Sequence, residues 1–559
     1  MDNQRIILFM ALAIVVLFMW ESWEERTNPP QPQQIVQTQQ STSPSVPAEQ
    51  GTAAVPTEGN DVPTVTNTVD KPKVAATQSS VKTGKRIRVK TDVFDVDLDS
   101  VGGDLRRAFL PQYPISLEEK DKAFPLMDDN LPQLFIAQSG LLSNTTAPDH
   151  HASYSVEKTD YVMTPGQNEL RVPFIWKSED GAITVTKTYV FRSGSYLIDV
   201  IFEVNNQSAD AWRGRMYRQL QRTQYDEPGK SRLLYTFSGA AVSTPENHYE
   251  KVAFDDMNEW RAEQSYSAGV WVGMLQHYFV SAWVPNSEEL NHLYTRVVND
   301  TRYIVGLTAE ESEVAAGTSK TIQTQLYIGP KDQDTLESIS ENLKLTVDYG
   351  ILTFIAQPLF WLLDTIHGYI GNWGWAIIFV TLIIKLIFYK LSEASYRSMA
   401  NMRKIAPKFQ AIRERYGDDR QRMSQAMMEL YKKEKVNPMS GCWPMLVQIP
   451  VFIALYWVLL ESVELRQAPF MLWIEDLSTK DPFYILPILM GISMFAQQKL
   501  SHNPAMDPMH QKIMQFLPIV FTLFFMLFPA GLVLYWVVNS VLSILQQWYI
   551  MRKIDGASS

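Results

Sequence analysis

Only one cysteine, Cys442, occurs among the 559 residues, so no disulfide can close within the chain. It lies in an apolar stretch, where a thiol is ordinarily a small buried hydrophobe rather than a nucleophile. There is no glycine-rich phosphate loop and no cluster of His or Cys at metal-ligand spacing. Nucleotide-driven work, a resident metal and any other cofactor are therefore not expected. The eight histidines are scattered, and the neighbours His150 and His151 read as part of a solvated loop. A net charge of −10 argues against a general nucleic-acid binder. A small-residue cleavage site is also missing. The first apolar run, 6–20, ends in Met-Trp-Glu, so it reads as an uncleaved anchor rather than a removed leader. Charge itself is missing from the whole of 513–551. As one helix that stretch would run about 58 Å at roughly 1.5 Å per residue, twice a hydrocarbon core. The sequence Phe528-Pro529-Ala530-Gly531 is expected to split it in two.

What is present divides the chain into unlike halves, which the mean hydropathy of −0.13 averages away. Residues 1–26 form the anchor, with Arg5 before it and Glu21, Glu24 and Glu25 after it; positive charge stays in the cytoplasm, so the following segment is exported. Residues 27–84, rich in Pro, Gln, Thr and Ser without apolar periodicity, read as a disordered linker. From 85 to 335 the pattern is alternation. The segments 182–191 and 196–204, joined by Arg192-Ser193-Gly194-Ser195, predict a hairpin, and 269–284, 302–308 and 321–328 predict further strands of a β-sandwich. A sugar-binding groove is conceivable there, but no carboxylate pair of enzymatic spacing can be read, and a structural or docking role is preferred. Residues 336–372 hold a short connecting helix, 338–345, and an apolar stretch, 350–363, interrupted by Asp364 and His367. That stretch is short for a span and predicts an amphipathic helix on the outer surface.

The second half is organised around one cation. Lys385 lies in the apolar run 373–391, the second span, with Thr381 one turn earlier on the same face. An ammonium inside a membrane helix costs roughly 2.5–3.5 kcal/mol on insertion scales and ordinarily faces a wet cavity or a partner, unless its stem lets it snorkel to the interface. The next segment, 392–440, carries eleven Lys or Arg against six Asp or Glu, which marks a cytoplasmic loop. Met399, Met402, Ile405, Phe409, Ile412 and Tyr416 at helical spacing, a Gly417 turn, and Met423, Met427 and Leu430 on the return predict a helical hairpin. Its basic faces can meet RNA, lipid headgroups or an acidic partner. Residues 441–551 supply spans three to six, and 552–559 a cytoplasmic tail. Polar groups recur within them: Gln448, Ser493, Gln497, Thr522, Asn539 and Ser540. No Asp or Glu lies deep enough to pair with Lys385, so its counter-charge is expected to come from outside, on a substrate. Six spans place both termini in the cytoplasm.

The runs NPMSGCWPMLVQIPVF (437–452), VELRQAPF (463–470), DPFYILPILMG (481–491) and FPAGLVLY (528–535) resemble the Gram-negative bacterial members of the YidC/Oxa/Alb insertase family. The likeness is dense from about 352 to 549 and weak in the exported domain. It implies a polytopic α-helical membrane protein with six spans and a five-span core. It further implies a large exported all-β supersandwich similar to galactose mutarotase folds, and a cytoplasmic helical hairpin. The implied activity is insertion and folding of inner-membrane proteins, without enzymatic chemistry, through a hydrophilic groove closed on the outside. Lys385 stands where the family usually has Arg, which keeps the attraction but loses bidentate geometry. Thr381 and Trp536 match substrate contacts, Gln448 and Gln498 match polar groove positions, and Tyr535 is expected in the groove on the span along which the apolar segment moves. Arg397, Arg403, Lys404, Lys408, Arg413 and Arg415 form the basic face expected to recruit clients. Implied partners are nascent inner-membrane proteins, the ribosome, the Sec translocon (SecYEG, SecDF) and membrane lipids, with no specific nucleic-acid sequence. Lys390 stands where relatives often have Pro, a departure nothing in the sequence explains. Two other readings start from the same residues: a secondary transporter with Lys385 in its substrate site, and a membrane-anchored periplasmic carbohydrate-binding protein.

Overall fold

Alternation of apolar and polar residues produces the first half of the fold. In the strand Ile183–Arg192, residues Ile183, Val185, Tyr189 and Phe191 are buried while Thr184, Thr186 and Thr188 are only partly so. It pairs antiparallel with Leu197–Asn206, setting Val185 opposite Val204 and Tyr189 opposite Val200. The turn between them uses Gly194 at φ +71°, a conformation costly for any residue with a Cβ. The computed structural model describes residues 61–63, 81–225, 236–260, 266–417, 419–434, 443–500 and 508–556. The expected anchor and most of the expected linker lie outside the described residues.

Two sheets make the β domain. One, of ten strands, runs in the order Asn291–Val298, Arg302–Ala309, Trp212–Thr223, Phe135–Ser143, Leu105–Pro114, Asp95–Asp99, Arg86–Lys90, Asp160–Val162, with Ser312–Val314 and Ala123–Met127 alongside. The other, of eight strands, follows the order Glu250–Val252, Gly239–Ser243, Trp271–Leu275, Phe279–Val284, Thr318–Pro330, Leu197–Asn206, Ile183–Arg192, Glu169–Lys177. Each strand expected from the sequence is present, and 269–284 divides into two. The inner faces share one core that includes Phe174, Phe191, Phe202, Trp212 and Trp283, each worth roughly 1.5–3 kcal/mol on burial. Polar bonds also cross between the sheets. Trp283 Nε1 donates to Gln219 O at 3.0 Å, and the fully buried Lys187 donates to Gly102 O and Ser139 O, both at 2.9 Å. Burial pushes the Lys187 ammonium down to about 8.

The expectation of a solvated loop at His150 and His151 is corrected: His150 is 1% exposed and His151 half-buried, because Asp61, a residue of the expected linker, packs against both.

Ten described α-helices follow: α1 (Gln333–Ile339), α2 (Thr353–Ile370), α3 (Trp373–Ile387), α4 (Tyr389–Lys404), α5 (Ala406–Tyr416), α6 (Arg420–Lys433), α7 (Trp443–Glu461), α8 (Ile485–Leu500), α9 (Pro508–Phe525) and α10 (Ala530–Gly556). Asp332 caps α1 by accepting from Thr335 N at 2.8 Å, and Asn372 caps α3 by accepting from Trp375 N at 3.1 Å. The apolar stretch 350–363 belongs to a longer helix: α2 carries Asp364 and His367 within it and ends at Gly371, whose φ of +70° closes the helix. With the preceding 3₁₀ turn it spans Gly350–Ile370, 21 residues, long and apolar enough to cross a membrane. Ala530–Ile554 meets the same test, and the pair α3 and α4, bent by 64° at Phe388, meets it if taken as one span. Val447–Glu461, Ile485–Leu500 and Gln515–Phe525 are apolar but shorter. The charge-free run does break at Phe528-Pro529. The hairpin arm expected to be continuous is interrupted at Ile405, where Pro407, which has no N–H to donate, begins α5. Phe409 and Tyr431, 5.1 Å apart, join α5 to α6.

Arg466 ties the β domain to the helices. Its guanidinium donates to Pro114 O at 2.7 Å and lies over the rings of Phe124 and Phe279 at 5.5 and 5.6 Å. Lys331 and Glu461, 3.8 Å apart, and His277 with Leu460 O, at 2.8 Å, add to the joint. Arg466→Ala should remove on the order of 2–3 kcal/mol of coupling. The β domain should then melt at its former temperature in a calorimetric scan, while the helical part unfolds earlier. A single unchanged transition would refute the assignment.

Candidate functional site

The helix α10 carries polar residues on one side every four positions: Tyr535, Asn539, Ser543 and Gln547. Four residues advance a helix by slightly more than one turn, so these form a slowly winding stripe. In an otherwise apolar element such a stripe must be satisfied by its neighbours. The structure places a different helix against each part of it. Near the start, Asn539 Oδ1 accepts a hydrogen bond from Gln448 Nε2 of α7. In the middle, Ser543 Oγ accepts from Lys385 Nζ of α3 at 2.7 Å and donates to Asn539 O at 2.7 Å. Tyr396 of α4 reaches Ser543 O at 3.5 Å. Farther on, Gln547 Nε2 donates to Leu500 O of α8 at 3.2 Å.

Lys385 therefore ends on an uncharged hydroxyl. Among the described residues it makes no ion pair, and the one hydrogen bond uses one of the three donors of an ammonium. Its side chain is neither fully enclosed nor free in solvent. A cation in this setting is short of a counter-charge and of acceptors, so it attracts an incoming carboxylate or water.

The other expected residues fall around this seam in different ways. Thr381 is 1% exposed and its hydroxyl donates back to Ile377 O at 2.7 Å, so its one donor is used within α3. Tyr535 is buried and stacks on Phe452 at 6.0 Å. Trp536 is half-buried, edge-on to Phe452 at 4.8 Å and 5.1 Å from Phe525, in an aromatic cluster from α7, α9 and α10. Gln498 has a buried carbonyl oxygen without a hydrogen-bond partner among the described residues, and both polar atoms of Gln546 are alike in this. Asn539, one of the polar groups noted in the spans, belongs to the seam, and Ser543 and Gln547 join it without having been among the expected site residues. Their four-residue spacing in a charge-free helix was the signal.

The basic face is partly neutralised within itself. Arg397 pairs with Glu393 at 3.3 Å, and Lys408 with Glu434 at 2.6 Å, joining α5 to α6. Arg403 donates to Leu500 O, Arg415 lies 5.7 Å over the Tyr416 ring, and Lys404 is exposed. The Arg413 side chain lies outside the described residues. Around the helices large apolar side chains point outward, among them Phe354 (72% exposed), Ile492 (61%), Phe516 (65%) and Leu523 (62%). So many on one set of helices suit a hydrocarbon surrounding.

The chain matches two family models, one described as the YidC periplasmic domain over 86–362, the other as the 60Kd inner membrane protein over 365–557. It is 48% identical over 558 residues to the membrane protein insertase YidC of Methylococcus capsulatus, covering 99% of each chain. To the membrane protein insertase YidC of Thioalkalivibrio sulfidiphilus it is 49% identical over 569 residues, covering 100% of this chain and 99% of the relative. Among solved structures it is similar to an active YidC insertase with its first transmembrane domain resolved, at 17% identity and a TM-score of 0.39, covering 84% of this chain and 93% of that one.

Proposed function

Because the chain belongs to the YidC family of membrane protein insertases, we propose that it inserts and helps fold inner-membrane proteins by receiving their polar segments at the Lys385 seam. The observation that carries this reading is the pairing of Lys385 with a neutral serine on a polar stripe, with no carboxylate partner among the described residues. A nascent chain reaches the basic helices α4 to α6 on the cytoplasmic side, alone or with its ribosome. Its polar, often acidic, segment enters between α3, α7 and α10 and is held near Lys385, Gln448 and Gln498. Its apolar segment moves along Tyr535 and Trp536 into lipid. Burial of apolar surface supplies about 25 cal/mol per Å², and the membrane potential adds a pull on acidic residues.

This reading takes six spans, both termini in the cytoplasm and the β domain in the periplasm, with the Sec translocon as a second route. The relatives are named insertases over their full length, which favours neither a secondary transporter nor an anchored carbohydrate-binding protein. Photocrosslinkers placed at Gln448 and at Trp536 should both capture a stalled nascent chain with an acidic exported segment. A crosslinker at Leu523, which faces outward, should capture lipid or the apolar segment only. Capture from Leu523 with none from Gln448 would overturn the seam as the path.

A further inference from the structure

We propose that Asp61, His150 and His151 form a binding site for one divalent transition-metal ion of the zinc class, which clips segment 61–63 onto the β domain. The ligand atoms of the three residues all lie within 4.8 Å of one another. His151 Nε2 is 2.9 Å from Asp61 Oδ1, and His150 Nε2 is 3.2 Å from Asp61 Oδ2. Ligands about 2.0–2.1 Å from a tetrahedral zinc stand roughly 3.3 Å apart, close to both His–Asp distances, and the two imidazole donors, within 4.8 Å of each other, would close on the ion. Two imidazoles and a carboxylate are a donor set that zinc accepts, with a fourth place left for water.

Two features go beyond proximity. His150 Nε2 is buried and has no well-formed hydrogen bond among the described residues, although it faces the carboxylate. Its other ring nitrogen, Nδ1, lies 2.5 Å from the hydroxyl of Tyr217, itself fully buried, and that hydroxyl also accepts from the His150 backbone N at 2.9 Å. The ring is thus fixed through the nitrogen a metal would not use, as the outer partners of metal-bound histidines do. His151 is oriented by its backbone N, which donates to Asp149 Oδ1 at 2.8 Å. Asp104 and Asp149 add negative potential around His151, and Arg302 near Asp61 opposes it.

The consequence is mechanical. Asp61 O accepts from Gln219 Nε2 at 3.3 Å, and Val62 O accepts from Arg296 Nη1 at 2.9 Å, so segment 61–63 already lies along the ten-stranded sheet. A metal bond to Asp61 would turn these contacts into a clip between segment 61–63 and the β domain. The inference does not depend on insertase activity.

The test uses the full chain, purified in detergent without a histidine tag and stripped with a chelator. Zinc titrated by calorimetry should bind with one equivalent, and cobalt should give the intense visible bands of a tetrahedral site. Zinc should also slow protease release of the N-terminal fragment. Asp61→Asn and His151→Ala should each weaken binding by at least 10-fold and abolish that protection, while the β domain stays folded by circular dichroism. Absence of stoichiometric binding, or binding by both variants as tight as by the unaltered protein and therefore due to the other histidines, overturns the proposal.

Discussion

Lys385→Glu should abolish insertion of clients whose exported segment carries Asp or Glu, while Lys385→Arg inserts them at close to the normal rate. Two opposite charges 5 Å apart interact by about 3 kcal/mol at an effective dielectric near 20, a factor of roughly 100–200 in occupancy. Reversing the sign loses that attraction and adds a repulsion of the same size, so the charge reversal must act more severely than Lys385→Met. The fold should tolerate all three variants, because the only partner that Lys385 engages among the described residues is Ser543, whose own donor is already used by Asn539 O. Client dependence separates this from general damage: a client with a neutral exported segment should insert almost normally through the Glu variant. Protease protection of a radiolabelled client in membranes holding matched amounts of each variant gives the measurement. Equal insertion of acidic and neutral clients by the Glu variant would remove Lys385 from the reaction.

Much of this was legible because it is local. The two-residue period of 182–191 and 196–204 gave both strands and their turn, and the length of the charge-free run required a break that Phe528-Pro529-Ala530-Gly531 located. Lys385 stood out because a cation is costly where it lies. What was not legible depends on partners distant in sequence. Asp61 lies 89 positions before His150, and no spacing rule connects an expected linker to a histidine pair. Ser543 is 158 residues from Lys385, so its role appears only once α3 and α10 are side by side. Asp364 and His367 interrupt the apolar stretch in the sequence and yet lie inside α2. In the fold the His367 ring stacks on Trp373 at 3.9 Å, which accommodates it beside the start of α3. The 64° bend at Phe388 leaves no mark in composition, since apolar and polar helical segments simply adjoin there.

Glu464→Gln should stabilise the protein at alkaline pH and change it by less than about 1 kcal/mol near pH 5. Glu464 sits in the 3₁₀ turn Val463–Leu465 that follows α7, two residues before the Arg466 that docks the β domain. Its Oε2 is buried without a hydrogen-bond partner among the described residues. Burial, reinforced by the negative charges of Asp332, Asp364 and Asp334, raises its carboxyl to about 8 from an ordinary 4.5. The folded state therefore holds a proton that the unfolded chain has released. Stability from this group is complete below about 4.5 and is lost as pH climbs toward 8, at up to about 1.4 kcal/mol per pH unit. The amide has the same shape and nothing to ionise, so the variant should escape a loss on the order of 2–4 kcal/mol by pH 8. Thermal unfolding in detergent from pH 5 to 9 should give curves that meet at the acid end and diverge by several degrees at the alkaline end. Parallel curves would mean that Glu464 is ionised in the folded protein. The loop beside Arg466 would then carry a buried charge that the docking guanidinium, and not a proton, neutralises.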